Sequence, residues 1–139
     1  MSKIELLYSA MLENDGRMLG HCEIRPSTPE LEAVINVIAS YPGGLDSGRI
    51  EAAVRRRGYS NSDGGFGVQY PDDLDEYEKA NGSDIPAGCV RVYTFFGPPA
   101  GGEFTIQESL YLEVLELWLF MRGVKHDAIK ALRETMDSL

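Results

Sequence analysis

From Leu110 to Met121 the chain is almost without polar residues, and that stretch constrains everything around it. Wound at about 100° per residue, Ser109, Glu113 and Glu116 gather in one narrow polar stripe, and apolar side chains, Trp118 among them, cover the rest of the cylinder. A helix so apolar belongs at the centre of a domain, with other elements packed around it. It is too short for a bilayer, which takes about 20 residues. Thr105 followed by Glu108 reads as a capping box that opens this helix, and Gly123 ends it. A last amphipathic helix follows from about Asp127, burying Ile129, Leu132 and Met136.

Upstream, Thr28-Pro29-Glu30-Leu31 marks a helix start, with Thr28 as N-cap, Pro29 in the first turn and Glu30 at the positive end of the dipole. Leu31, Val34, Ile35 and Ile38 form its apolar stripe, and Pro42-Gly43-Gly44 ends it. A second helix is expected from Ser47 to Arg57, with Ile50, Ala53 and Val54 inward and Gly58 as its C-cap. The first 25 residues admit two readings. Ile4, Leu7, Tyr8, Met11 and Leu12 have helical spacing up to Asn14-Asp15-Gly16, whereas Ile4, Leu6 and Tyr8 alternate as in a strand.

Beyond Gly58 the texture changes. Phe66-Gly67-Val68-Gln69-Tyr70 alternates as a strand does, and Cys89 to Phe96 is rich in β-branched and aromatic residues. Gly97 to Gly102 is a turn or loop, with Phe104 to Ile106 as a possible hairpin return. Helices, then an antiparallel sheet, then helices make an α+β fold: a small antiparallel sheet packed with several helices, in a single domain spanning 1–139.

Charge sorts the function classes. A net charge of −9 at pH 7 argues against nucleic acid, whose phosphates call for a basic face, and favours a basic partner steered in by opposite potential. The N-terminus has no apolar block followed by a cleavage site, so the expected address is the cytoplasm, without membrane attachment. Cys22 and Cys89, far apart and outside any Cys-x-x-Cys spacing, read as reduced core thiols.

Few constellations point to chemistry. Gly64-Gly65-Phe66-Gly67 precedes a strand, whereas a phosphate loop follows a strand and opens a helix. His21, Cys22, Cys89 and His126 lack the short paired spacing of zinc ligands, and His21 and Cys22, being adjacent, point different ways. No cofactor or metal is expected. Arg55-Arg56-Arg57 reads as cations at a helix C-terminus. The segment Pro71-Asp72-Asp73-Leu74-Asp75-Glu76-Tyr77-Glu78 reads as a turn or loop crowded with carboxylates. It fails the calcium-loop pattern, and its acids look solvated rather than poised for acid–base work. Tyr70, Leu74 and Tyr77 among the carboxylates suit an interface with a cationic protein surface.

Gly58-Tyr59-Ser60-Asn61-Ser62 and Tyr70-Pro71-Asp72-Asp73 are followed by an acidic stretch, a hairpin and a long helix. That order, over Gly58 to Leu139, resembles the CdiI-type immunity proteins that neutralise ribonuclease toxins of contact-dependent growth inhibition systems. The turn at Pro98-Pro99 and Gly101-Gly102 is longer than in that family. The resemblance implies a non-catalytic protein that occludes the active site of a basic toxin domain. Tyr59, Tyr70, Asp72, Asp73, Asp75, Glu76, Tyr77 and Glu78 are then the expected toxin contacts, the acids for complementarity and Tyr70 and Tyr77 for buried contact area. Two rivals stand beside it: an acidic adaptor or regulator that binds an unrelated basic partner, and a carboxylate-dependent enzyme.

Overall fold

In the computed structural model, which describes residues 4–12, 18–26, 28–61, 65–82, 84–95, 102–124 and 126–139, the apolar helix is indeed central. This helix, α4 (Glu108–Met121), buries Tyr111, Leu112, Val114, Leu115, Trp118 and Leu119, and Ser109 and Glu113 face outward. Around it lie α1 (Pro29–Ala39), α2 (Asp46–Val54) and α5 (His126–Asp137), and a short α3 (Glu76–Ala80) with no buried residue stands between α2 and α4 in the chain. An antiparallel sheet completes the core, in the order β3 (Tyr59–Asn61), β4 (Phe66–Gln69), β5 (Cys89–Thr94) and β6 (Gly102–Gln107). The fold is α+β, and most of its buried apolar residues form one cluster drawn from α1, α2, α4, α5 and the sheet.

Local chemistry explains most boundaries. The Thr28 hydroxyl accepts from the Leu31 amide at 3.3 Å, Pro29 stands in the first turn, and Leu31, Val34 and Ile38 face the core as expected, joined by Ala33 and Val37. Gly123, with φ 79°, follows α4, and α5 buries Ile129 and Leu132 with Met136 packed at the margin. Arg133 of α5 pairs with Glu116 of α4.

Several expectations are corrected. Of the two readings of the N-terminal residues the strand is the one formed: β1 (Ile4–Leu12) pairs antiparallel with β2 (Met18–Pro26) in a separate two-stranded sheet, so two strands precede the helices that the expected element order put first. The spacing of Ile4, Leu7 and Tyr8 suits a helix, yet a second nine-residue segment is at hand to complete the ladder. The Asn14-Asp15-Gly16 stop lies outside the described residues, as does most of the Gly97 to Gly102 turn, of which Gly102 begins β6.

Helix α2 ends at Val54, three residues early, and Val54 is exposed. Gly58 does not cap it; Arg56 takes the left-handed conformation, φ 53°. Glu108 supplies no capping box to α4: Thr105 lies within β6, the N-cap is Gln107 with no side-chain bond, and the Glu108 carboxylate is buried. A strand that runs straight into the helix leaves no turn for such a box.

Candidate functional site

The acidic segment leaves β4 at Tyr70 and returns to the sheet at β5. It is not a plain loop. Pro71–Asp73 makes a 3-10 turn, and Asp75 caps α3 by accepting from the Glu78 amide at 2.7 Å, while Glu78 reaches back to the Asp75 amide at 3.3 Å. Asp73 Oδ2 accepts from the Tyr70 amide at 2.7 Å and from the Gly58 amide at 3.0 Å. Gly58 is needed there, because a Cβ would collide with that carboxylate and with the Val68 carbonyl oxygen. Asp73, Asp75 and Glu78 therefore hold the backbone of the segment in one shape. Asp72, Glu76 and Tyr77 stay exposed, Tyr77 at 77%.

Two expected contact residues belong to the interior instead. Tyr70 is 2% exposed, so it cannot lend its ring to a partner surface. The alternation Phe66, Val68, Tyr70 carries it onto the inner face of the sheet. Tyr59, only half-buried, donates its hydroxyl to the Val37 carbonyl at 3.1 Å. That hydroxyl has one proton, so Tyr111 is the donor in the 3.4 Å contact between the two phenols. Burial pushes the Tyr59 and Tyr70 phenols well above the usual range, and Tyr111 up to about 12.

Behind this segment lies a second polar cluster, unforeseen from sequence. Glu108, 1% exposed, is met by Arg56 Nη2 at 2.9 Å and Nε at 3.1 Å. Arg56 also lies 5.9 Å from the centre of the Tyr70 ring. Arg49, 4% exposed, donates to the carbonyls of Ile38, Ala39 and Gly44 and to Asp46 Oδ1. Its guanidinium lies 4.4 Å from the Trp118 ring centre, and Arg122, bonded to Asp46, lies 4.7 Å from the same ring. Of the basic run, Arg56 is thus structural, Arg55 pairs with Glu51, and Arg57 is exposed. A signal for Arg49 existed: it sits four residues before Ala53, on the same helical face.

The outer face of the sheet borders the acidic segment. Ser60, Gly67 and Tyr93 lie in register across β3, β4 and β5, with Gln69 opposite Arg91 in the next row. Arg91 pairs with Glu103 at 3.3 Å and donates to the Asp84 carbonyl. Tyr93 and the exposed Phe95 stack at 5.2 Å with a 31° tilt. Elsewhere, α2 and α5 enclose an apolar groove of about 530 Å³ along Ile50, Val54, Val124, Ala128 and Ala131.

Among the described residues, no three or more His, Cys, Asp and Glu side chains come together as a metal site. Cys89 is half-buried in β5 rather than a full core thiol, and the Cys22 side chain lies outside the described residues. No described helix is long and apolar enough to cross a membrane. No protein-family model, curated protein or solved structure matches this chain, so the reading of its site rests on geometry and charge.

Proposed function

We propose that this chain is a cytoplasmic immunity protein that binds a cognate basic toxin domain, a ribonuclease of a contact-dependent inhibition system, and covers its active site without catalysis of its own. The observation that carries the reading is the acidic segment. Three of its carboxylates fix its backbone, and Asp72, Glu76 and Tyr77 are left exposed. A ribonuclease groove is lined with the cations that hold RNA phosphates, and carboxylates on a rigid turn can take the place of those phosphates. Preorganisation lowers the ordering cost of binding, and Tyr77 offers the aromatic anchor that interface hot spots favour. The net charge of −9 adds steering, which at low salt can raise association rates to about 10⁸–10⁹ M⁻¹s⁻¹.

The expected contact set contracts accordingly. Asp72, Glu76 and Tyr77 have side chains wholly free for direct contact; Asp73, Asp75 and Glu78 hold the backbone that presents them, Tyr59 is linked to α1 and α4, and Tyr70 supports the segment from beneath. The test is co-expression with the toxin domain encoded directly upstream, scored by cell survival and by ribonuclease activity of the purified pair. The reading expects survival and a silent one-to-one complex. Death of the co-expressing cells, or a complex that still cleaves RNA, contradicts it; capture of a basic partner without ribonuclease activity favours the adaptor reading.

A further inference from the structure

Where the outer sheet face meets the acidic segment, a cleft of about 200 Å³ opens among Gly58, Tyr59, Ser60, Gln69, Asp73 and Tyr93. Resting on the immunity reading above, we propose that this cleft receives one arginine or lysine side chain of the basic partner, its cationic head between the Tyr93 ring and the Asp73 carboxylate.

Three observations define the cleft. First, Gly67 has no side chain where Tyr93 crosses the sheet: a Cβ there would overlap the phenol end of the ring. The phenol end of the ring therefore lies over β4, with Phe95 beside it, and Tyr93 lines the cleft. Second, both backbone bonds to Asp73 go to Oδ2, and Oδ1 accepts from no described group. The exposed Asp73 side chain, anchored through one oxygen, thus lines the cleft with the other left to accept. Third, the nearby cations are engaged elsewhere. Arg91 is paired with Glu103, Arg56 turns to the buried Glu108, and Arg57 lines a different cleft with Tyr41 and Arg55. An aromatic ring and an anchored carboxylate lining one cleft are the groups that bind a guanidinium or ammonium. Asp72 and Glu76 lie on the same segment, so a cation seated here would register the partner for their contacts.

The probe is the peptide N-acetyl-Gly-Arg-Gly-amide, followed by amide NMR on the full chain, with the citrulline peptide as its uncharged counterpart. The arginine peptide should shift Gly67, Gln69, Asp73 and Tyr93 in a saturable way, and the citrulline peptide should not. Tyr93→Leu and Asp73→Asn should each weaken binding at least about fivefold. In Asp73→Asn the amide oxygen can keep both backbone bonds while its NH₂ turns into the cleft, so a folded variant with a hostile cleft is expected. Glu134→Gln on α5 should change nothing. Shifts spread evenly over the acidic surface, or equal affinity in folded Tyr93→Leu, would overturn the proposal. If the peptide fails while Asp72→Lys/Glu76→Lys still abolishes binding to the toxin domain, the cleft is wrong and the immunity reading stands. If that charge reversal leaves toxin binding intact, the immunity reading fails instead, whatever the cleft holds.

Discussion

The interior between α1, α2 and α4 and the segment from Pro71 to Ala80 both hold charged side chains, but they use them in opposite ways. Arg49 makes four hydrogen bonds and stacks on Trp118, and Glu108 has both oxygens within 3.1 Å of Arg56. In the acidic segment Asp72 and Glu76 make no described contact, and Asp73 keeps one oxygen unused. A buried ion needs its full set of partners to offset desolvation, whereas an ion meant for another molecule must keep bonding capacity in reserve. Counting carboxylates along the chain does not separate these uses. Burial beside a partner does: Glu108 is 1% exposed against Arg56, whereas Asp72 and Glu76 are exposed with no described hydrogen bond or ion pair.

The sharpest way to break this contrast is at Arg49. Arg49→Met removes the described donor from the Ala39 carbonyl at the C-terminal end of α1 and from the Gly44 carbonyl, together with the stacking on Trp118, and should cost about 3–5 kcal/mol in urea denaturation. A small loss would show that the interior ions are as dispensable as the exterior ones. Alkaline titration probes the same interior from the phenol side. Tyr111 holds its proton up to about 12 when folded, against about 10 unfolded, so the unfolded chain releases it first. Stability is then full below pH 10 and falls as pH rises toward 12, by about 3 kcal/mol from this group alone. Tyr111→Phe should make that fall shallower, as read from denaturation midpoints between pH 9 and 12.

Asp73 lies between the two regimes. Asp73→Ala releases the exposed Gly58 amide and the partly buried Tyr70 amide and should cost about 1 kcal/mol, while weakening toxin binding by loosening the segment. Smallest of all in stability, Asp72→Lys with Glu76→Lys should leave the thermal midpoint where it is. A clear drop would mean that these acids support the fold after all.

Elements with local signals were legible in the sequence. Thr28-Pro29 announced α1, the stripe of Ser109 and Glu113 announced α4, and the alternating apolar residues of β4 and β5 announced the sheet. What escaped depended on distant partners. Ile4, Leu7 and Tyr8 fit either period until β2 is present to pair with them, and Glu108 meets Arg56 across 52 residues of chain. Tyr70 is instructive, because carboxylates begin two residues after it, at Asp72, while its neighbours on the strand face are Phe66 and Val68. Strand periodicity, followed one position further, places it in the core. The exposed part of the site was visible as composition, but which acids were already engaged became visible only in the fold.

The central claim is that the exposed residues of the acidic segment bind the toxin. Its most direct test is a calorimetric titration of the proposed toxin partner with the wild-type chain and with Asp72→Lys/Glu76→Lys/Tyr77→Ala. The account predicts a Kd weakened at least about 100-fold in the variant. A Kd within about twofold of the wild type contradicts it, since an interface built on these three side chains would lose far more.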